Sequence, residues 1–407
     1  MRILFLSRWF PYPPDNGSKI RIFNILKQLS RRHDVDLVTF YEGTDRANEG
    51  SIGALSEVCS DVRAVPYRPY RPTSAKAVVG LLSKQPRHLV DTHSPALKAT
   101  IEEELTRKQY DLVIASQLAM APYAVAIHGV PTILEELELS VFADAAATGS
   151  MAKRARCQLT WLKLVTYLRT LLPRFAACTV VSESEKRKVE RAVPGYADVR
   201  VIPNAVDLSR YDGDFGAPRP NTLVFCGALT YSANLDALRF FLRDVYPRIL
   251  SEVPNVVLRV TGRTQGVDLS SLPNHPGVQY TGYVQDVRPV VAQSWVSVVP
   301  IRIGGGTRLK ILESMALGTP VVSTSKGAEG LDVADGQNIL IADQPEEFAA
   351  RVVSIVRSVE LRRKLAANGR LLVELRYDWE AVGRELIELV EQITSGALTV
   401  GAEGLVS

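Results

Sequence analysis

The stretch VVPIRIGGGTRLKILESMALGTPVVST, Val298 to Thr324, constrains the fold of this chain more than any other part of it. Two β-branched runs flank a glycine turn and a short segment of helical apolar periodicity, so the pattern predicts strand, loop, helix and strand. A unit of this kind presents a helix N-terminus, with its partial positive charge, to an anionic ligand. The stretch therefore predicts an α/β fold with an anion site where the first strand ends.

The predicted helix has one apolar arc at 100° per residue, and that arc packs on a sheet. It consists of Leu309, Ile311, Leu312, Met315 and Ala316. Arg308 and Lys310 add positive charge to a helix end that normally attracts Asp or Glu. Three glycines before it allow backbone amides to approach a ligand, namely Gly304, Gly305 and Gly306. Together these features predict a bound phosphate or diphosphate.

Glu313 lies almost two turns into the same helix, outside the apolar arc. Its carboxylate is suited to accept hydrogen bonds from a diol such as a ribose. The alternative is a solvated Lys310–Glu313 pair beside an ordinary glycine turn. The spacing does not match the P-loop, because no Gly-Lys-Ser/Thr follows the glycines. The residues thus predict a ligand site but specify no reaction.

Size and composition place the chain among ordinary globular proteins. With 407 residues, 46% apolar and 23% charged, it has the length for about two or three domains. A formal net charge of +4 gives no indication of nucleic-acid binding. The four cysteines and five histidines show no metal-type spacing, so no metal site is expected and a reducing compartment is favoured.

No apolar stretch reaches the roughly 18 residues of a membrane-spanning helix. The opening MRILFLS is too short for the core of a signal peptide. We therefore expect a cytoplasmic protein, soluble or peripheral on the inner face of the membrane.

The amino-terminal half alternates apolar runs with helical patterns, which is typical of a parallel sheet covered by helices on both faces. A strand at Ile3 to Ser7 leads through Asn16-Gly17 into a helix from Ser18 with a serine cap, as in a Rossmann-like half. Gly17 either approaches a ligand or supplies a turn with positive φ. The further predicted strands are Val35 to Phe40, Val62 to Pro66, Asp111 to Ser116, Pro131 to Glu136, Cys178 to Ser182 and Val199 to Pro203.

A linker is predicted at Asn204 to Thr222, because this segment is rich in Gly, Pro, Asn and Asp and lacks periodicity. After it a strand at Leu223 to Gly227 and a helix at Asn234 to Leu250 open a second Rossmann-like half. The prediction is an α/β protein of two doubly wound domains that face each other across a cleft. The domains are residues 1–206 and 207–377, with a last helix at about 378–396 that packs back on the first domain.

The segment from Met151 to Phe175 combines six Lys and Arg residues with Trp161, Tyr167 and an apolar set, and it contains no acidic residue. The apolar set is Leu159, Leu162, Val165 and Leu172. Such a helix fits the surface of an anionic membrane. The alternative is a domain helix with a solvated basic face.

The glycine-rich segment resembles the nucleotide-sugar signature of retaining GT-B glycosyltransferases of the family-four type, in the subgroup that reads Gly-Gly-Gly-Thr-Arg-Leu-Lys-x-Leu-Glu. Nearly the whole chain is similar to this family, in the family's order. The other matching motifs are FPYPPDNGSKIR, VVSESE, VIPNAVD, CGALTYSANLDAL, VTGRT, GYVQDVRP, STSKGAEGLDV and RYDWEAVG.

The resemblance implies transfer of a sugar from a nucleoside-diphosphate sugar to an acceptor with retention, with no obligatory metal and no other cofactor. The donor is expected on the carboxyl-terminal domain, and a sugar, lipid-linked or small-molecule acceptor on the amino-terminal domain. Glu313 would bind the ribose, and the amides of Arg308 and Leu309 would face the diphosphate. The full expected donor set is Gly17, Gly227, Arg263, Val284, Gly305, Gly306, Thr307, Arg308, Leu309, Lys310 and Glu313.

The sequence departs from the family in three places. Gly305 stands where relatives have a first glutamate, and Ala228, Ala233 and Asn234 occupy the region of a basic pair, so the diphosphate charge is assigned to Arg308 and Lys310. Near ILEELELS, relatives often carry a histidine, whereas this chain has three glutamates. Of these, Glu138 best matches the family pattern and is the candidate to position the acceptor hydroxyl or take its proton, with an exposed charged loop as the alternative.

Two other functions compete with this one. A degenerate member would bind the donor without turnover, acting as a binding or scaffold protein; the loss of the first glutamate motivates that alternative. A Rossmann oxidoreductase is disfavoured, because the first strand leads into no Gly-x-Gly-x-x-Gly with an acid about 20 residues later.

Overall fold

The computed structural model describes residues 1–42, 49–80, 82–140, 151–304, 306 and 308–396. The chain divides into two compact units. The amino-terminal unit comprises Met1–Pro203 together with the chain from Val382 onward, and the carboxyl-terminal unit comprises Asn204–Ala381.

The amino-terminal unit contains a seven-stranded sheet in the order β3-β2-β1-β4-β5-β6-β7, and every pair of neighbours is parallel. Ile3, Leu4, Phe5 and Leu6 in β1 are fully buried, because helices cover both faces of a parallel sheet. The strands are β1 Arg2–Ser7, β2 Asp34–Tyr41, β3 Asp61–Pro66, β4 Leu112–Ser116, β5 Thr132–Glu135, β6 Ala177–Val180 and β7 Val199–Val201.

The helices of this unit connect the strands in the alternation that the sequence predicted. They are α1 Gly17–Leu29, α2 Glu49–Ser56, α3 Ala75–Val79, α4 Arg87–Thr92, α5 Pro95–Arg107, α6 Ala121–Ala124, α7 Met151–Leu171 and α8 Glu183–Ala192. The expected serine cap of α1 is wrong. The helix begins at Gly17, and the side chain of Asn16 accepts the hydrogen bond from the amide of Lys19 at 3.1 Å.

The carboxyl-terminal unit contains a six-stranded parallel sheet in the order β10-β9-β8-β11-β12-β13. Its strands are β8 Thr222–Cys226, β9 Val257–Thr261, β10 Val278–Gly282, β11 Val296–Val299, β12 Val321–Ser323 and β13 Leu340–Ile341. Its helices are α9 Ser232–Phe240, α10 Tyr246–Glu252, α11 Arg288–Ala292, α12 Leu309–Ala316, α13 Pro345–Arg357 and α14 Val359–Arg376. The two sheets confirm the prediction of two Rossmann-like domains.

The predicted continuous helix from Asn234 to Leu250 is interrupted. Between α9 and α10, residues Phe241–Val245 form a π-helical turn, in which the amide of Tyr246 bonds the carbonyl of Phe241 at i−5. Pro247 follows in the first turn of α10 and has no amide hydrogen to continue the α-helical ladder. The proline explains why the hydrogen-bond pattern changes there.

A final helix, α15 Trp379–Thr394, spans the boundary between the units at Val382. Before the boundary, the amide of Trp379 bonds the carbonyl of Val206 at 3.0 Å. After it, Gly383 lies so close to the side chain of Gln28 that an added Cβ would come within 2.5 Å. Glu391 pairs with Arg32 at 3.5 Å.

A fully buried ion pair ties α1 to the carboxyl end of β5. The Arg21 Nε donates to Glu135 Oε1 at 2.7 Å, and its Nη1 and Nη2 donate to the carbonyls of Pro203 and Ile202 at 3.1 and 2.9 Å. Both charged side chains are inaccessible to solvent. Ser116 completes the arrangement, since its hydroxyl donates to the other oxygen of Glu135 at 2.7 Å.

We expect Arg21→Met to destabilise the amino-terminal unit by about 3–5 kcal/mol, because it leaves the Glu135 carboxylate buried without its partner. Urea unfolding followed by circular dichroism measures the change. Arg32→Met, which removes an exposed cation from the same helix region, is the control and should change stability by less than about 1 kcal/mol. An Arg21→Met protein as stable as the wild type would contradict the assignment.

Candidate functional site

The candidate site lies in the carboxyl-terminal unit, where the strand order of the sheet reverses. β8 and β11 are neighbours there, although β9 and β10 lie between them in sequence. The chain leaves β8 through Gly227 and leaves β11 through the loop of Gly304 and Gly306 that leads to α12. Ligands of open α/β sheets bind outside the carboxyl ends of the strands at such a reversal.

Lys310 places its ammonium group at the end of β8. Its Nζ donates to Asn234 Oδ1 at 2.9 Å and lies 5.5 Å from the centroid of the Phe225 ring. The amide nitrogen of Asn234 in turn donates to the carbonyl of Ala228 at 3.0 Å. Gly227 has φ of 153°, and a Cβ there would lie 2.8 Å from Nζ, so the ammonium occupies space that only glycine leaves open.

Burial, with a smaller contribution from the positive charge of Arg308, lowers the pKa of Lys310 to about 8, against the opposing effects of Cys226 and Glu313. The side chain is therefore mostly cationic at neutral pH, but it has lost much of its hydration. A phosphate group placed beside it would meet a desolvated cation, which interacts more strongly than one in water.

Glu313 lies one turn further along α12, and Tyr211 holds its carboxylate. The Tyr211 hydroxyl donates to Glu313 Oε1 at 3.1 Å. Burial raises the pKa of Glu313, while the hydrogen bond from Tyr211 and the charge of Lys310 act in the opposite direction. Tyr211 packs against the core of the carboxyl-terminal unit, so it fixes one carboxylate oxygen in place.

The predicted face of α12 is confirmed: Ile311, Leu312, Met315 and Ala316 are buried. Arg308 precedes the helix, and its Nη2 donates to the carbonyl of Gly304 at 2.7 Å. The side chain of Arg308, at the N-cap position, makes no capping hydrogen bond, and the first turn of the helix has no acidic residue.

The loop before α12 approaches the segment after β8. Gly304 has φ of 91°, and a Cβ there would lie 3.1 Å from the Tyr231 hydroxyl. Gly306 is exposed and also has a positive φ, of 85°. Gly305 and Thr307, both predicted donor residues, lie outside the described residues.

Two further predicted residues lie at the same edge of the sheet. Arg263 follows β9, its carbonyl accepts the amide of Leu229 at 2.8 Å, and its exposed guanidinium lies 5.3 Å from the ring centroid of Tyr283. Val284 follows β10 and packs against the apolar cluster of Val224, Val290 and Val291. The structure thus brings Gly227, Lys310 and Glu313 together with the backbone of Arg263, and places Val284 in the adjoining packing layer.

The remaining predicted residues belong to the amino-terminal unit. Gly17 is the first residue of α1, and the space around it is open. It does not have a positive φ, so the alternative of a turn with positive φ is wrong. Glu138 is half-buried on the segment after β5.

Glu136, which the sequence did not single out, has a strongly perturbed carboxylate. Burial and then the neighbouring charge of Glu135 raise the pKa of Glu136 to about 7, and Glu138 contributes in the same direction. Gln117 donates to it at 2.9 Å. Gln117 and Glu136 follow the adjacent strands β4 and β5, and both have left-handed backbone, with φ of 69° and 57°.

Sequence reasoning missed Tyr211 and the Gln117–Glu136 pair, and it treated Asn234 only as a departure from the family. Tyr211 lies in the aperiodic segment that was read as a linker, where no pattern marks a single aromatic residue. For Asn234 a signal existed: it follows Gly227 by seven positions, at the start of the helix that the sequence predicted.

Comparison with known proteins identifies two family matches that together cover most of the chain. Residues 15–210 match the family described as Glycosyltransferase Family 4, and residues 220–358 match Glycosyl transferases group 1. The boundary between the two matches falls within the segment that opens the carboxyl-terminal unit.

Related sequences match either nearly the whole chain or part of it. An uncharacterised 44.6 kDa protein in the cps region of Klebsiella pneumoniae is 22% identical over 404 residues, which is 94% of this chain and 97% of that protein. The phosphatidyl-myo-inositol mannosyltransferase of Mycolicibacterium smegmatis is 26% identical over 51% of this chain and 55% of its own. The lipopolysaccharide core biosynthesis glycosyltransferase LpsE of Rhizobium meliloti is 31% identical over 35% and 43%.

Solved structures share the fold. Anabaena Alr3699/HepE in complex with UDP superposes with a TM-score of 0.68 at 15% identity, covering 96% of this chain and 100% of that one. The sucrose-phosphate synthase of Thermosynechococcus elongatus gives 0.68 at 16% identity, covering 97% and 100%.

We expect the affinity of the site for a nucleoside diphosphate such as UDP to fall as the pH rises through about 8. Below that pH Lys310 carries its proton and attracts phosphate; above it the attraction is lost, by up to about tenfold per pH unit. Calorimetric titration between pH 6.5 and 9.5 measures the slope.

Lys310→Gln should bind weakly with no alkaline loss, whereas Lys364→Gln, which changes an exposed lysine on α14, should keep the wild-type profile. An unchanged alkaline slope in Lys310→Gln would show that another group controls the affinity.

Proposed function

We propose that this chain transfers a sugar from a nucleotide-sugar donor to an acceptor hydroxyl with retention of the anomeric configuration. The proposal rests on the family of the chain, which is a GT-B glycosyltransferase of the group 1 and family 4 type. One observation carries the assignment of the site. A desolvated cation and an oriented carboxylate, Lys310 and Glu313, project from the same short helix at the reversal point of the sheet. The first suits a diphosphate and the second a ribose.

Lys310 and Arg308 would stabilise the leaving group. As the bond between the anomeric carbon and the diphosphate breaks, negative charge grows on the diphosphate oxygen, and cations fixed beside it favour the transition state over the bound donor. Gly227 leaves the room that the Lys310 ammonium group occupies. We propose that these two side chains suffice for the charge, so that activity requires no metal ion.

Glu313 would accept hydrogen bonds from the ribose hydroxyls, with Tyr211 holding the carboxylate for that purpose. Arg263 and the backbone at Val284 would complete the donor set, together with Gly306, Leu309 and the two residues outside the described chain, Gly305 and Thr307. Their support is the resemblance of the surrounding motifs and, for Arg263, the position after β9.

The acceptor would bind to the amino-terminal unit, where the glutamates after β5 provide carboxylates near strand carboxyl ends. Glu138 remains the residue proposed from the motif to position the acceptor hydroxyl or to receive its proton. Relatives named for capsule and lipopolysaccharide synthesis support a polysaccharide or lipid-linked acceptor. Retention is supported by the similarity of the glycine-rich signature to retaining enzymes.

Incubation of the protein with UDP-, GDP-, ADP- and dTDP-sugars tests the function directly. Release of the nucleoside diphosphate, with the anomeric configuration of the product determined by NMR, would support transfer with retention. Persistence of the rate in EDTA would support the metal-independent step. Tight donor binding without any release would instead identify a binding protein without turnover, and an inverted product would contradict the proposed stereochemistry.

We expect Glu313→Ala to weaken donor binding by about 1.5–3 kcal/mol, because it removes a charged hydrogen-bond acceptor. Tyr211→Phe keeps the Glu313 carboxylate but removes the hydrogen bond that orients it, so a smaller loss of about 0.5–1.5 kcal/mol in donor binding is expected. Calorimetry with the preferred donor measures both, and melting temperatures of the free proteins establish that the variants fold. Wild-type affinity in a folded Glu313→Ala protein would remove the ribose assignment.

We also propose that α7 contacts an anionic membrane. The structure narrows the predicted contact face, because Tyr167 and Leu172 are buried in the core. Lys163 and Arg169 of α7, and Arg174 just after it, bond backbone carbonyls within the unit. Leu159 and Leu162 remain 69% and 61% exposed.

Arg154 and Arg156, in the first two turns of α7, are exposed. Among the described residues no helix is long and apolar enough to cross a bilayer. The proposed contact is therefore a surface contact, with leucines in the interface and arginines near anionic headgroups.

Sedimentation with vesicles should show binding to phosphatidylserine-containing membranes and none to neutral ones, with each arginine near the surface contributing about 1 kcal/mol and salt weakening the contact. Leu159→Ser with Leu162→Ser should reduce the bound fraction. Equal sedimentation with both vesicle types would leave α7 as a domain helix with a solvated basic face.

A further inference from the structure

A large groove in the amino-terminal unit lies at the carboxyl end of β3, away from the residues assigned so far. It encloses about 900 Å³ and is formed by the segment after β3, the start of α3 and the segment between α4 and α5. Its charged lining residues are Arg68, Arg71, Lys76 and Asp91. Ligands of this fold bind at the carboxyl edge of the parallel sheet, and the groove lies at that edge.

The lining of the groove is electropositive. Three cations face one carboxylate, and Asp91 is already engaged, since it accepts the amide of Arg71 at 2.8 Å and the hydroxyl of Ser74. In the part of the chain that the structure describes, none of the three cations forms an ion pair. Burial, and then the charges of Lys76 and Lys98, lower the pKa of His93 below its ordinary value. The groove therefore favours an anion over a neutral glycan.

The same short helix that begins in the groove ends in an exposed apolar surface. α3 buries Ala77, but Val78 and Val79 are 52% and 65% exposed. Leu82, just beyond it, is 94% exposed, the largest exposed fraction of any large apolar side chain in the described residues. Apolar side chains grouped next to a charged groove indicate a ligand with both characters.

The apolar surface continues onto α7. Lys163 donates to the carbonyl of Gly80, at the end of α3, at 2.8 Å, and this bond joins α3 to the helix that exposes Leu159 and Leu162. Cationic and apolar surfaces thus adjoin on one unit.

We propose that this groove binds the phosphate or diphosphate of an acceptor carried on a long apolar chain, an inference that rests on the proposed transfer function for its meaning. The phosphate would lie between Arg68, Arg71 and Lys76, and the chain would run along Val79 and Leu82. The groove therefore assigns the acceptor to the class of lipid phosphates rather than to free sugars.

Calorimetric titration with farnesyl phosphate, farnesol and inorganic phosphate tests the proposal. Farnesyl phosphate should bind the wild-type protein more tightly than either of the others, because it alone engages both surfaces. Arg68→Gln with Arg71→Gln should weaken its binding by about tenfold or more, as expected for lost charge-assisted hydrogen bonds. Val79→Ser with Leu82→Ser should weaken farnesyl phosphate and leave inorganic phosphate unchanged.

Lys98→Gln is the matched control, since this lysine lies on α5, is 53% exposed and does not line the groove. It should leave all three affinities unchanged. Farnesol binding as tightly as farnesyl phosphate, or no loss in the double arginine variant, would overturn the proposal. Equal affinity for inorganic and farnesyl phosphate would also overturn it, in favour of a free-phosphate site.

Binding of the nucleotide-sugar donor separates a failure of the groove proposal from a failure of the proposed function. Stabilisation of the double arginine variant by a nucleotide sugar should match that of the wild type, because every donor residue except Gly17 belongs to the other unit and Gly17 does not line the groove. If no nucleotide sugar stabilises even the wild-type protein, the proposed function fails while selective farnesyl phosphate binding still establishes the groove as a lipid-phosphate site.

Discussion

Burial removes much of the hydration of the Lys310 ammonium group, and among the described residues its one hydrogen bond is donated to the side-chain amide oxygen of Asn234. Within the described residues it forms no ion pair, so the cost of its desolvation is not offset by a carboxylate in contact. The arrangement persists because Gly227 leaves room for it and because Asn234 is itself anchored to the carbonyl of Ala228. An anionic ligand beside this ammonium group would offset the cost of its desolvation, which links the fold of β8 and α12 to binding.

Much of the fold could be predicted because the strands of a parallel sheet produce a strong sequence pattern. Strands buried on both faces must be apolar throughout, and β1 and β4 are such runs. The π-helical turn after Phe240 left no such signal, since its cause is the hydrogen-bond geometry around Pro247 rather than periodicity. The cap of α1 was misassigned because Asn16 and Ser18 are both good capping residues two positions apart.

As with the fold, some residues of the candidate site could be predicted from the sequence and others could not. Lys310 and Glu313 could be recognised because their charges conflict with the expected preference at a helix start and because a motif surrounds them. Tyr211 could not, since the contact with Glu313 joins residues about a hundred positions apart in an aperiodic segment. The three glutamates at and after the end of β5 look alike in sequence, yet Glu135 forms a buried ion pair with Arg21, while burial raises the pKa of Glu136. Only the packing of α1 against β5 separates their roles.

The position of α15 has a consequence for how the molecule is made. The carboxyl-terminal unit is one continuous stretch, Asn204–Ala381, whereas the amino-terminal unit consists of two stretches separated by it. On the ribosome the seven-stranded sheet emerges first, but its last helix, with Gly383 seated on Gln28, emerges only after the whole second unit. The carboxyl-terminal unit can complete its fold as a continuous domain, whereas the amino-terminal unit is complete only after the segment from Val382 onward has been synthesised. Truncation near the carboxyl terminus would therefore damage the amino-terminal unit.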